Sequence, residues 1–271
     1  MQEAEFWRTL ARWIDEGAPC ALCTVVRVEG SVPRRPGARL IVRQDGTAAG
    51  TVGGGALELE VTREARALIA RGEPRLLSFK LKPDLGMLCG GAAEVFVEPM
   101  QPPDRLYLFG AGHIGQALAP MAARVGFAVT VVDGRPELAS RERFPEASAF
   151  VHGFEAEQWG SLPFDEERTY CVVVSPGHAI DFAVAREVLR RPTRFVGMIG
   201  SAKKRQATDA SLREAGISAE RIATLHSPIG EPIGAETPEE IAVSILAELV
   251  RVRRSRGAGP AAAHTKEHTH E

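Results

Sequence analysis

Leu106-Tyr-Leu-Phe-Gly-Ala-Gly-His-Ile-Gly115 joins a strand to a helix through a glycine turn, and the rest of the chain is laid out around it. Leu106 to Phe109 is a short apolar run of the kind that forms a buried strand. Gly110, Gly112 and Gly115 follow in the spacing G-x-G-x-x-G, with His113 and Ile114 between the last two. Gln116 to Val125 predicts a helix, and Ala128 to Val132 a second strand closed by Asp133. In such a β-α-β unit Gly110 permits the tight turn, Gly112 lets backbone approach a phosphate, and Gly115 lets helix pack on strand. The helix N-terminus offers N–H groups and positive dipole to an anion. Asp133 stands where an acid accepts a sugar or pterin hydroxyl. The prediction is a Rossmann-type domain with a nucleotide or phosphate site.

Strand and helix patterns keep alternating downstream. Ala149–His152, Thr169–Ser175 and Arg194–Ile199 predict further strands, which implies a parallel sheet with helices on both faces. Ligands of such sheets sit at the carboxyl ends of the strands. The residues found there are the Gly110–Gly115 turn, Asp133-Gly-Arg135, Ser175-Pro-Gly177-His178, and Gly200-Ser201-Ala-Lys203-Lys204-Arg205. Cations disfavour a helix N-terminus, so Lys203 and Lys204 there suggest either a bound anion or a solvated basic face. Thr237-Pro-Glu-Glu240 is a capping box opening the last helix, with Ile241, Ile245 and Leu249 as its buried stripe.

The first hundred residues have a different pattern. Phe6, Leu10, Trp13 and Ile14 recur at helical spacing over residues 4–16, and Cys20 to Val28 predicts a strand. A strand would put Cys20 and Cys23 of the C-x-x-C on opposite faces, which favours packing over metal or redox work. Gly30–Gly37 is a turn-rich loop carrying Arg34 and Arg35, one wall of a site or merely a basic surface. Ala38–Val42 and Thr47–Val52 pair about an Asp45-Gly46 turn. Gly53, Gly54 and Gly55 then precede a helix and form a second potential anion nest, which Glu58 either fills itself or shares with a ligand. Leu76–Leu81 and Ala93–Val97 predict two more strands around Gly86-Met-Leu-Cys89-Gly90-Gly91. Beside two glycines, Cys89 is either a thiol open to a ligand or metal, or a small turn residue. Pro99–Asp104 predicts a linker, and the tail from Gly257, with His264, His268 and His270, predicts disorder or weak metal binding.

At 271 residues the chain exceeds what one core usually serves. Domains are expected over residues 1–100 (α+β) and 104–256 (Rossmann-type), with a disordered tail over 257–271. A net charge of −2 argues against nucleic acid and acidic membranes as partners. No apolar run is long enough to cross a bilayer, and the acidic, amphipathic N-terminus is unlike an export signal. The expectation is a cytoplasmic protein with its four cysteines reduced.

Taken together, these segments resemble the xanthine dehydrogenase accessory protein family of the XdhC/CoxI type. The matching stretches are GSVPRRPGARL, GTVGGGALE, MLCGG, LFGAGHIGQAL, VVDGRPE, VVVSPGH, VGMIGSAKKR and HSPIGEPIGAETPEEIAVSILAEL, running from about residue 20 to 250. The resemblance implies a small N-terminal α+β domain and a Rossmann domain with molybdenum cofactor held between them. It implies binding of a molybdopterin-type cofactor, protection from oxidation while a cysteine desulfurase supplies its sulfido ligand, and delivery to the molybdenum subunit of xanthine dehydrogenase. It does not imply turnover of a metabolite, and a homodimer is the assembly to look for. A terminal phosphate would need N–H groups, from Gly110–Gly115 or the Gly200 turn, and cations from Arg34, Arg35, Lys203 and Lys204. A soft metal dithiolene suits a thiol such as Cys89. The competing expectation is an NAD(P)-dependent oxidoreductase using Gly110–Gly115 and Asp133, with His178 as acid–base residue.

Overall fold

The computed structural model describes residues 2–80 and 91–255, and the chain divides into two compact units, Met1–Pro102 and Pro103–Glu271. The first unit is built from α1 (Glu3–Asp15), β1 (Cys20–Glu29), β2 (Arg39–Arg43), β3 (Ala48–Gly50), α2 (Gly55–Arg71), β4 (Arg75–Lys80) and β5 (Ala92–Met100). Its strands form one antiparallel sheet in the order β3-β2-β1-β5-β4. Alternation along the strands feeds two cores. Cys23, Val42 and Val95 meet Val61 and Leu68 of α2 on one face. On the other, Cys20 and Ile41 meet Phe6, Leu10 and Trp13 of α1, while Ile14 points outward. Cys20 and Cys23 therefore face opposite ways, and no ion could take both. Burial pushes both thiols up, Cys23 to about 12, with Arg43 opposing the shift at Cys20.

The second unit runs β6 (Asp104–Phe109), α3 (His113–Arg124), β7 (Phe127–Asp133), β8 (Ala149–His152), α4 (Ala156–Trp159), β9 (Thr169–Val173) and α5 (His178–Val188). It continues with β10 (Phe195–Met198), α6 (Ala202–Glu214), α7 (Ala219–Ala223), β11 (Leu225–His226) and α8 (Pro238–Arg254). Every pairing in its sheet is parallel, in the order β11-β10-β9-β6-β7-β8. Starting from β6 the chain steps outward to β8, returns beside β6 as β9, and steps outward the other way. This is the doubly wound order of a Rossmann fold, and its topological switch point lies between β6 and β9.

The sheet is buried on both faces, as its apolar strands require. Leu106 and Leu108 turn toward Leu118 of α3 and Ile245 and Leu249 of α8. Tyr107 and Phe109 turn toward Trp159, Val184 and Val188. The capping box of α8 closes, with Glu240 N–H donating to Thr237 Oγ1 at 3.2 Å and Thr237 N–H donating to Glu240 Oε2 at 3.0 Å. Helix α3 begins at His113, three residues earlier than the apolar pattern predicts, because the glycine turn itself supplies the N-cap. The short α7 and β11 carry too little periodicity to be predicted.

Candidate functional site at the sheet switch point

The turn after β6 is shaped by what its glycines permit. Gly110 sits at φ +128°, and a Cβ there would be driven into the Val174 carbonyl at the tip of β9. A Cβ on Gly115 would strike the Gly110 carbonyl, so α3 can start directly against the turn only because that position is bare. Gly112 is different: nothing lies within 4 Å of where its Cβ would be. Gly112 is also the N-cap of α3 and brings no capping side chain, so the first N–H groups of the helix face that open space. A cleft of about 440 Å³ occupies it, lined among others by Ala111, Gly112, His113, Arg135, Arg143 and Pro176.

Asp133 closes β7 at 0% exposure, and its carboxylate is fully committed. Oδ2 accepts from the Ala111 N–H and from Arg135 Nη2, both at 2.8 Å. Oδ1 accepts from the Arg135 N–H at 3.0 Å and from Arg135 Nε at 2.8 Å. Four donors thus meet the roughly four lone-pair sites of a carboxylate, and none is left for a ligand hydroxyl. Burial would raise this carboxyl, but the Arg135 guanidinium and the backbone donors outweigh it and hold the pKa below the usual value. What Asp133 presents to the cleft is therefore Arg135. Arg143 stands beside it, donating from Nη2 to Gln116 Oε1 at 2.9 Å while its buried Nε has no partner.

The tip of β9 is held from below. Asp181 Oδ1 accepts from the Ser175 hydroxyl at 2.6 Å and from the Ser175 N–H at 3.1 Å, fixing the loop through Gly177 to His178. Burial pushes the Asp181 carboxyl up, opposed by Ser175 and by the charges of His178 and Lys204. At the tip of β10, beyond Gly200, Ser201 caps α6 with its own hydroxyl, which accepts from the Lys204 N–H at 3.3 Å. Lys203 and Lys204 are exposed there and are not among the described residues lining the cleft. Arg205 turns away to bind Asp209 at 2.6 Å and the Ile222 carbonyl at 3.0 Å. Glu248 of α8, barely exposed, holds His226 Nδ1 at 2.7 Å and the Gly230 N–H at 2.7 Å, which fixes the loop after β11.

The structure therefore brings the turns after β6, β7, β9 and β10 to one edge of the sheet. The remaining candidates belong to the first unit. Gly53, Gly54 and Gly55 all have positive φ, and the nest they form is occupied from within. Glu58 Oε2 accepts from the Gly54 N–H at 3.2 Å and from Thr51 Oγ1 at 2.6 Å, so Glu58 serves the helix dipole itself. Arg34 and Arg35 are exposed, and Arg34 lines a cleft of about 590 Å³ with Phe6, Trp7, Arg39 and Thr51. Cys89 lies outside the described residues.

The pattern of the XdhC Rossmann domain matches residues 106–249, and that of the XdhC and CoxI family matches residues 13–80. This chain belongs to the XdhC and CoxI family. Among its XdhC/CoxI relatives is the uncharacterized protein YqeB of Escherichia coli (strain K12), 34% identical over 255 residues, 92% of this chain and 46% of YqeB. A probable xanthine dehydrogenase subunit of Bacillus subtilis (strain 168) is 31% identical over 160 residues, 59% of this chain and 46% of that protein. The chain thus spans about half the length of these two relatives. The molybdenum cofactor insertion chaperone PaoD of Escherichia coli (strain K12) is 22% identical over 303 residues, 91% of this chain and 88% of PaoD.

For this XdhC/CoxI chain, sequence patterns missed Arg143 and Asp181. Arg143 lies in an irregular segment with no motif of its own. Asp181 had a signal, an acid in the first turn of a helix that follows a strand tip.

Proposed function

We propose that this chain binds a molybdenum cofactor of the molybdopterin type in the cleft between β6 and β9. In this reading it protects the cofactor while a cysteine desulfurase renews the terminal sulfur ligand. It then delivers the cofactor, in the cytoplasm, to the molybdenum subunit of a xanthine dehydrogenase. The observation that carries the reading is the pairing of an open, uncapped Gly112 turn with a sealed Asp133. The open turn suits a phosphate, and two guanidinium groups beside it suit its charge. A nicotinamide dinucleotide also needs an acceptor for its ribose hydroxyls at the tip of the second strand, and Asp133 has none to give. The name of PaoD, a cofactor insertion chaperone, supports the same reading.

Cys89 is proposed as a thiol near the metal, on its place between glycines in the sequence. The test is reactivation. Cofactor-free xanthine dehydrogenase is mixed with molybdopterin-type cofactor, with and without this protein and a cysteine desulfurase. The proposal expects faster and more complete recovery of xanthine oxidation when this protein is present. Equal recovery without it, or hydride turnover of NAD(P)H by this protein alone, would reject the proposal.

A further inference from the structure

The residues around the cleft also bear on which form of such a ligand it takes. Resting on the function proposed above, we infer that the cleft recognises a terminal phosphate monoester through Arg143 and Arg135 and does not read a nucleotide. The described lining holds these two guanidinium groups and no carboxylate. Arg135 is tied to Asp133 along one edge, through Nε and Nη2, which leaves Nη1 on its other side. Arg143 has a buried Nε without a partner, although a lost hydrogen bond to a buried polar group is costly. An anion lodged over Gly112 would meet the first N–H groups of α3 and the guanidinium groups that line the cleft, and an arginine fork matches phosphate oxygens in pairs.

A ribose diol brought to the tip of β7 would meet the Arg135 guanidinium in place of a free carboxylate. It needs at least one acceptor, and the acid that stands at this position already receives four hydrogen bonds. The geometry thus favours a cofactor ending in a phosphate over its dinucleotide form. It also gives a use to the charge of Arg143, whose side-chain hydrogen bond goes to the neutral amide of Gln116.

The probes are inorganic pyrophosphate, CDP and NAD+, titrated calorimetrically into the intact chain and into Arg143→Ala and Arg143→Lys. Pyrophosphate and CDP should bind within about threefold of each other, NAD+ more weakly. Arg143→Ala should weaken pyrophosphate about tenfold or more, as for a lost charged hydrogen bond, and Arg143→Lys less. Melting curves of both variants should stay near the parent, because Arg143 is a partly exposed residue outside the core. CDP binding tenfold or more tighter than pyrophosphate would show that a ribose is read and would overturn the inference. So would unchanged pyrophosphate affinity in Arg143→Ala. Uptake of molybdopterin that is indifferent to Arg143→Ala would overturn the inference and leave the proposed function standing. Arg143-dependent pyrophosphate binding in a protein that takes up no molybdopterin would uphold the anion site and overturn the function.

Discussion

Asp133 and Arg135 grip each other through two parallel hydrogen bonds of 2.8 Å at the tip of β7, the acid fully buried and the guanidinium at the edge of the cleft. The pair converts a position that usually accepts from a ligand into one that donates. Asp133→Asn should keep the fold, because size and shape are retained, but lose about 1–3 kcal/mol of stability from the broken charged bonds. It should also loosen Arg135, and urea midpoints would record the first effect and pyrophosphate titrations the second. If Asp133→Asn were as stable as the parent, the pair would not organise the turn.

The same pair sets a pH dependence. Asp133 and Glu248 are both buried, which raises a carboxyl, yet Arg135 and His226 with backbone donors bring their pKa values below the ordinary range. A carboxylate depressed in the folded state stabilises the fold above its unfolded pKa of about 4 and loses that contribution as pH falls through the folded value. Asp181, raised by burial, acts in the opposite sense: its contribution is greatest at low pH and is lost as pH rises toward its folded pKa. Urea midpoints measured from about pH 6 down to about pH 3 should therefore fall on the acid side, and less steeply in Asp133→Asn. An identical acid limb in both proteins would contradict this assignment.

The three glycines of the turn should respond differently to substitution. Gly110→Ala and Gly115→Ala each push a methyl into a carbonyl, and at Gly110 the backbone is also left-handed, so both should lower the melting temperature markedly. Gly112→Val meets open space, so it should fold and block the approach of an anion instead. A Gly112→Val protein that melts normally and still binds pyrophosphate would remove this turn from the site.

Ser175 depends on Asp181 in a comparable way. Asp181→Ala deletes an acceptor of both its hydroxyl and its N–H; the hydroxyl keeps the Gly177 carbonyl at 3.2 Å, while the part-buried N–H is left unsatisfied. A loss of about 1–3 kcal/mol is expected, with faster hydrogen exchange confined to residues 175–178. Exchange unchanged there would mean that the loop is held by something else.

The fold was legible where the sequence repeats a strong local pattern. Leu106–Phe109, Val129–Val132 and Tyr170–Val173 are mostly apolar, with Thr130 the buried polar exception, because both faces of the sheet are covered, and the glycine turn marks the first crossover. The roles of individual polar side chains were less legible. G-x-G-x-x-G followed by an acid reads the same whether that acid faces a ribose or is bound by an arginine two residues on, and only the packed geometry separates the cases. Glu58 could have served a ligand or its own helix, and the bonds to Thr51 and Gly54 decide for the helix. Arg205, grouped in the sequence with Lys203 and Lys204, bonds instead across to the α7 and β11 region. Long side chains travel several ångströms from their backbone, and a linear pattern does not say in which direction.

The central claim is that a pterin cofactor, and not a nicotinamide dinucleotide, occupies the Rossmann cleft. The direct measurement is molybdenum and oxidised-pterin content of the protein purified from molybdenum-replete cells, for the parent chain and for a normally folded Gly112→Val. The account predicts molybdenum and pterin approaching one per chain in the parent and little of either in the variant. Pterin-free protein that instead retains NAD(P), or equal pterin content in parent and Gly112→Val, would contradict it.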